Sequence, residues 1–104
     1  MTAILTGSRA YGTPRGDSDT DLVVNVEPEC LEALTASADS VCGDIVGDKY
    51  PNASRALRFG RLNLICTTSN CQWDAWQVGT ANCEKRKPLS RADAVAEMIA
   101  AGVR

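Results

Sequence analysis

The chain has 104 residues, of which 44% are hydrophobic and 5% aromatic, so it can form one small globular domain whose core is mainly aliphatic. Its net charge is −2, and no apolar run approaches the ~20 residues that a membrane-spanning helix needs. It contains no histidine, which excludes Ser-His-Asp and Cys-His catalysis, and its cysteines lack the paired spacing of a zinc site.

Two short strands flank a loop at the start of the chain. The first is predicted over residues 2–6 and the second over residues 20–26, with the turn residues Gly7-Ser8 directly after the first. Asp19 and Asp21 stand at the start of the second strand. Because alternate side chains of a strand share a face, the two carboxylates should point the same way, a few Å apart.

This pair of carboxylates predicts a metal site. Two like charges at that distance repel unless a cation lies between them or one of them is protonated. Hard oxygen ligands suit Mg²⁺ or Mn²⁺. The Gly7-Ser8 turn offers backbone N–H groups and a hydroxyl that can hold phosphate oxygens. Metal beside phosphate indicates a nucleotide site.

The rest of the chain alternates between helical and strand patterns. Helical spacing predicts a helix over 28–41 that begins with Pro28 and ends by Gly43. Residues 44–53 are ambiguous: 44–46 read as strand and 48–52 as loop. Strands are predicted over 56–59 and 62–66, joined tightly at Gly60. Two more helices are predicted, one over 70–82 and one over 91–101 with Ser90 as its N-cap, separated by a break at 85–88.

These elements together predict a single α/β domain over residues 1–104, with a small mixed β-sheet and packed helices. The middle helix carries Trp73 and Trp76. Two tryptophans three residues apart on a helix are typical of core packing; the alternative is that they stack a nucleobase.

The residues from Gly7 onward resemble a known signature. Gly7-Ser8, a spacer of ten residues, Asp19-Thr20-Asp21 and the apolar Leu22-Val23-Val24 resemble the nucleotidyltransferase superfamily that includes DNA polymerase beta, and most closely its smallest bacterial and phage members. The segment 9–12 follows the family's habit of an Arg soon after the Gly-Ser and a Gly a few residues on. Looser strand-level similarity extends to about residue 68. A Walker A motif and a dinucleotide fingerprint are both absent.

The resemblance implies a nucleotidyltransferase-like fold and a metal-dependent reaction. A nucleoside monophosphate would pass from an NTP to an acceptor hydroxyl, on a protein, an RNA or a small molecule, with release of pyrophosphate. Asp19 and Asp21 would bind Mg²⁺ or Mn²⁺, and Gly7 with Ser8 would hold the triphosphate. Arg9 or Arg15 would neutralise the leaving group; the alternative is that both are solvated loop arginines.

Asn63 departs from the family pattern. Members of the family carry a third carboxylate on a later strand, and the matching position here is Asn63. An amide can ligate a metal but cannot act as a base at pH 7. Either two carboxylates suffice, or Asp44 or Asp48 substitutes, or catalysis has been lost. A further alternative is that Asn63 is an ordinary polar residue of an edge strand.

A second function therefore stays open. A catalytically impaired protein of this fold, from a phage or a mobile element, would act as a nucleotide-, RNA- or protein-binding inhibitor; Asn63 and the basic residues 85–87 fit it. Family members also carry a helix before the first strand, whereas the first strand here begins near Met1. The C-terminal helices or a partner subunit, either a second copy or another protein, should cover that surface.

Charge and cysteine content bear on partners and location. Residues 1–52 carry nine acids and three bases, while residues 53–104 carry four acids and eight bases. This segregation points to an anionic partner near the second half, unless the two halves simply neutralise each other. Five cysteines in an ordinary composition, together with an N-terminus unlike a signal peptide, predict reduced thiols and a cytoplasmic location.

Overall fold

The structure is a computed structural model that describes residues 2–42 and 55–103. The ambiguous segment 44–53 lies outside the described residues. The described elements, in chain order, are β1 (Ala3–Thr6), α1 (Ser8–Tyr11), β2 (Thr20–Asn25), α2 (Pro28–Ser37), β3 (Ser40–Cys42), β4 (Arg55–Phe59), β5 (Leu62–Thr67), α3 (Asn70–Lys85) and α4 (Arg91–Ala100).

The five strands form one mixed sheet in the order β1-β2-β5-β4-β3. The neighbours β2 and β5 run parallel, and the other three pairs are antiparallel. The predicted α/β class, with a small mixed sheet and packed helices, is therefore confirmed. Among the described helices, none has the length and apolar character that crossing a bilayer requires.

Alternation along the strands divides the core between the two faces of the sheet. On one face Val23 and Ile65 pack with α1, α3 and α4; on the other Val24 and Leu64 pack with α2. Trp76 is only 3% exposed within the first cluster and the half-buried Trp73 packs against it, so the core interpretation of the tryptophans is confirmed. Ile4 of β1 packs against the same cluster. The C-terminal helices α3 and α4 therefore cover this face of β1, as one of the two alternatives in the sequence analysis expected.

Local sequence signals explain the starts of α3 and α4 and the turn between β4 and β5. The hydroxyls of Ser69 and Ser90 accept hydrogen bonds from the backbone N–H groups of Gln72 and Asp93, and so cap α3 and α4. Gly60 takes a φ of 62° in the turn between β4 and β5, which favours glycine. The predicted hairpin and both helix starts are confirmed.

Two predictions of local structure were wrong or incomplete. The helix predicted over 28–41 ends at Ser37. Val41 instead belongs to β3, where it pairs with Leu57 of β4. The Asp39 carboxylate accepts a hydrogen bond from the Gly60 N–H at 2.7 Å, which ties this turn to the β4–β5 hairpin. Long-range strand pairing thus outweighs helical spacing. The four-residue α1 was not predicted, because one turn of helix carries no periodicity.

Candidate functional site

Four polar side chains form a row across the sheet. In the strand register Thr6 pairs with Asp21, Asp21 with Asn63, and Asn63 with Arg58. Directly paired residues point to the same face of a sheet, here the face that carries α1, α3 and α4. The row therefore crosses β1, β2, β5 and β4 at one level.

Asn63 lies beside Asp21. Its Nδ2 donates a hydrogen bond to Asp21 Oδ1 at 3.2 Å, and the residue is only 8% exposed. Its predicted orientation toward the carboxylates is confirmed. Since β5 is the middle strand of the sheet, the interpretation of Asn63 as an edge-strand residue was wrong. The alternative third acids, Asp44 and Asp48, lie outside the described residues.

Asp19 is held by an arginine that the sequence analysis did not single out. Arg58 Nη2 lies 2.7 Å from Asp19 Oδ2, and Arg58 Nη1 donates to the Gly60 carbonyl at 3.3 Å. The hydrogen bond from Arg58 holds the pKa of Asp19 below its ordinary value. The sequence indicates only that residue 58 lies opposite residue 63, through the two-residue turn at 60–61, and it carries no local signal for the contact with Asp19.

The pKa of Asp21 is shifted in the opposite direction. Burial raises it above the ordinary value, the Asn63 amide lowers it, and the nearby charge of Asp19 raises it. The charge of Asp19 thus acts on the pKa of Asp21 in the direction expected for two neighbouring carboxylates. A divalent cation between them would relieve both the burial cost and the repulsion.

Gly7 brings the backbone against Asp21. Its φ is +73° and its ψ −161°, a region that is essentially restricted to glycine. A Cβ atom on Gly7 would lie 2.1 Å from Asp21 Oδ2. The glycine of the Gly-Ser pair therefore permits this close approach, and the following Ser8 opens α1 at the edge of the site.

These residues line one open cleft of about 480 Å³, a size in the range of small-molecule sites. Its walls come from the β1–α1 turn, the loop before β2, the strands β2, β5 and β4, and the start of α4. The lining residues include Gly7, Ser8, Asp19, Asp21, Arg58, Asn63, Trp76, Leu89, Ser90, Arg91 and Val95.

The start of α4 was not predicted as part of the site. The Leu89 backbone N–H donates to the Tyr11 carbonyl at 2.8 Å, which holds the segment before α4 against α1. Arg91 consequently lies near enough to Asp21 to lower its pKa. Nothing in the spacing of residues 85–91 indicates this placement, because it depends on how α3 returns the chain to the cleft.

Arg9 and Arg15 are not among the residues that line the cleft. Arg9 Nη2 donates to the carbonyl oxygen of Ser18 at 2.7 Å, and the Arg15 backbone N–H donates to the Ser18 hydroxyl at 2.7 Å. Both arginines are exposed and support the loop that precedes Asp19. These contacts fit the interpretation as loop arginines. Besides the hydrogen bond from Arg58, the charge of Arg9 also helps to lower the pKa of Asp19, and the role of either arginine toward the leaving group stays a prediction.

The donor set for a metal ion consists of two carboxylates and one amide. Among residues 2–42 and 55–103 no group of three Asp, Glu, Cys or His side chains converges as a metal site. Asp19 and Asp21 fit a divalent ion with oxygen ligands, since they already repel each other, but Asp19 holds Arg58 as its counterion.

Comparisons of the chain with protein-family models, with curated proteins and with solved structures give no match. The functional interpretation therefore depends on the signature residues and on the geometry of the cleft.

Replacing Gly7 with alanine is expected to destabilise the protein by about 2–6 kcal/mol, since strain at positive φ and overpacking each cost about 1–3 kcal/mol. Urea unfolding at pH 7 measures the loss. Gly16→Ala is the matched control, because a Cβ at Gly16 meets nothing within 4 Å. Equal stabilities of the two variants would contradict the close approach of Gly7 to Asp21.

Asp21→Asn should raise metal-free stability at pH 7 relative to the wild type. Because the pKa of Asp21 is raised in the folded protein, the protonated carboxyl stabilises the fold relative to the ionised one. This stabilisation is fully present below the ordinary pKa of Asp21 and is lost as the pH rises through its folded-state pKa, whereas asparagine stays neutral throughout. The advantage of the variant should therefore shrink as the pH falls toward 4. Urea unfolding across pH 4–7 measures it, with Asp17→Asn in the exposed loop as control. If the stability of Asp21→Asn relative to the wild type increased as the pH falls, the raised pKa of Asp21 would be contradicted.

Proposed function

We propose that this chain is a metal-dependent nucleotidyltransferase, with the nucleotidyltransferase-like fold that its signature resembles. One observation supports this proposal above the others: the Gly7-Ser8 turn and the carboxylates Asp19 and Asp21, separated in sequence, meet in one cleft. A turn that can hold phosphate beside a pair of carboxylates suits the triphosphate of an NTP with its divalent ion.

Six residues of the cleft have a role in this proposal. Asp19 and Asp21 hold Mg²⁺ or Mn²⁺, which would neutralise phosphate charge and orient the phosphates. Gly7 and Ser8 hold the triphosphate through backbone N–H groups and the hydroxyl. Leu89 and Val95 contribute apolar side chains to the wall of the cleft.

The reaction is an in-line displacement at the α-phosphorus. The oxygen of the acceptor hydroxyl forms the new bond, the bond between the α-phosphorus and its bridging oxygen breaks, and pyrophosphate leaves. Such transfer depends mainly on positioning and charge neutralisation. The Asn63 amide cannot take the proton of the acceptor. That proton must pass to one of the two carboxylates or to water.

A second candidate is a protein of the same fold that binds nucleotide, RNA or protein without turnover. The neutral Asn63 beside Asp21, together with the ion pair between Arg58 and Asp19, favours it. Both features reduce the negative charge that attracts divalent ions.

One experiment separates the two candidates. Purified protein is incubated with α-labelled NTPs, with Mg²⁺ or Mn²⁺, and with cell lysate as a source of acceptors. A labelled product together with pyrophosphate release supports the transferase. Metal-dependent NTP binding without any product supports a nucleotide-binding protein. Absence of NTP binding contradicts the transferase and restricts the second candidate to binding RNA or protein.

A further inference from the structure

Building on the proposed function, we propose that Arg58 couples metal binding to nucleotide binding. It acts as a positioning residue that serves as the counterion of Asp19 in the metal-free site. When a divalent ion binds the carboxylates with an NTP, the guanidinium exchanges Asp19 for phosphate oxygens. Arg58 thus opposes binding of the metal alone and favours binding of the metal with nucleotide.

The contacts of Arg58 show a side chain held in place yet accessible. Nη2 contacts Asp19 Oδ2 at 2.7 Å while Nη1 contacts the Gly60 carbonyl at 3.3 Å. The Arg58 and Asp19 side chains are 40% and 38% exposed. An exchange of partner therefore does not require a buried ion pair to open, and the bond to Gly60 keeps the guanidinium at the cleft.

The charges around Asp19 give the reason for an exchange. Asp19 and Asp21 together with Arg58 carry a net charge of −1, because Asn63 is neutral. A divalent ion that binds Asp19 must compete with a guanidinium that stays protonated at every accessible pH. Once the ion is bound, two cations face the same carboxylate and repel each other. An anion in the cleft then becomes the better partner for Arg58.

The chemistry of the guanidinium and its position identify that anion. A planar guanidinium donates two parallel hydrogen bonds to phosphate oxygens. Arg58 lines the same cleft as Gly7 and Ser8, the residues proposed to hold the triphosphate. It also stands opposite Asn63 in the register, at the end of the polar row. A phosphate group bound beside Asp19 and Asp21 therefore lies within the reach of this side chain.

Arg58→Gln tests the inference through two affinities that should move in opposite directions. Mn²⁺ binding without nucleotide is followed by electron paramagnetic resonance, and NTP binding at saturating Mn²⁺ by calorimetry. We expect the variant to bind Mn²⁺ alone about 3–10-fold more tightly, because Asp19 is released. It should bind NTP about 10–100-fold more weakly, the scale of a lost hydrogen bond to a charged group.

Arg55→Gln is the matched control. Arg55 lies on the same strand but on the opposite face, where it donates to the Thr35 hydroxyl and lies 3.8 Å from Glu32. It should leave both affinities unchanged. Arg58→Lys keeps the charge without the paired hydrogen bonds, and should move both affinities in the same directions as Arg58→Gln by smaller factors. If Arg58→Gln does not fold, this variant decides the question.

Opposite shifts in the two affinities, with Arg55→Gln unchanged, support the coupling. Unchanged affinities in the Arg58 variants, or two shifts of the same sign, overturn the role of Arg58 while the proposed function stands if the wild type binds NTP with metal. A wild-type protein that fails to bind NTP at saturating Mn²⁺ overturns the proposed function and the coupling together.

Discussion

Asn63→Asp is expected to raise turnover by about 10²–10⁴-fold, the range that a general base contributes, or to produce turnover where the wild type shows none. The substitution adds a carboxylate with almost no change in shape, at a position that pairs with Asp21 in the sheet and points into the cleft. A third carboxylate also strengthens the binding of a divalent ion. Pyrophosphate release with NTP and Mg²⁺ measures the gain, and calorimetry measures the metal affinity.

Asn63→Asp should also lower the free energy of unfolding of the protein without metal. Asn63 Nδ2 donates to Asp21 Oδ1, and a carboxylate at this position replaces that bond with repulsion. The expected loss is about 1–3 kcal/mol in urea unfolding without metal, and added Mg²⁺ should recover it. Asn82→Asp on α3 adds the same negative charge outside the cleft, and so controls for the effect of charge alone. A variant with unchanged metal affinity would contradict a metal site beside Asp21.

Replacing both Asp19 and Asp21 with asparagine should abolish metal-dependent NTP binding and lower any turnover by about 10³-fold or more, because a bound metal ion supplies several kcal/mol of transition-state stabilisation. The amides keep the shape of the site and remove the charge that holds the ion. Thermal unfolding with NTP, with and without Mg²⁺, measures the binding. Without ligands the melting temperature should change little. Removing the buried charge of Asp21 stabilises the protein, while losing the ion pair between Asp19 and Arg58 destabilises it.

Asp17→Asn combined with Asp74→Asn is the matched control for this double variant. Both residues are exposed, neither lines the cleft, and their replacement removes the same two charges. The control should keep the full stabilisation by NTP with Mg²⁺. If the Asp19 and Asp21 variant keeps it as well, the cleft is not the metal-dependent site.

Local signals in the sequence were sufficient to predict much of this site. Alternation along β2 predicted the direction of Asp21, and the strand pattern over 62–66 placed Asn63 on the same face. The Gly-Ser pair carries its own physical reason, because Gly7 adopts a conformation that other residues avoid and leaves room for Asp21. The serine cap at Ser90 likewise predicted where α4 begins.

The rest of the site depends on contacts between distant parts of the chain. Val41 follows helical spacing, yet the structure pairs it with β4, and the prediction of a long helix was wrong there. The start of α4 reaches the cleft through the bond between Leu89 and Tyr11, which no local pattern encodes. Arg58 appeared to be an ordinary strand residue, because its partner Asp19 lies 39 positions away. Charge compensation in the site therefore became visible only in three dimensions.

A crystal structure with Mn²⁺ and a non-hydrolysable NTP would show whether the cleft binds the metal and the nucleotide together. We expect an anomalous Mn²⁺ peak within about 2.0–2.3 Å of both the Asp19 and the Asp21 carboxylates, in the range of hard-cation oxygen ligands. It also predicts the triphosphate against the backbone of Gly7 and Ser8. Nucleotide bound elsewhere on the protein, or a cleft that contains neither ion nor nucleotide at saturating concentrations, would contradict it.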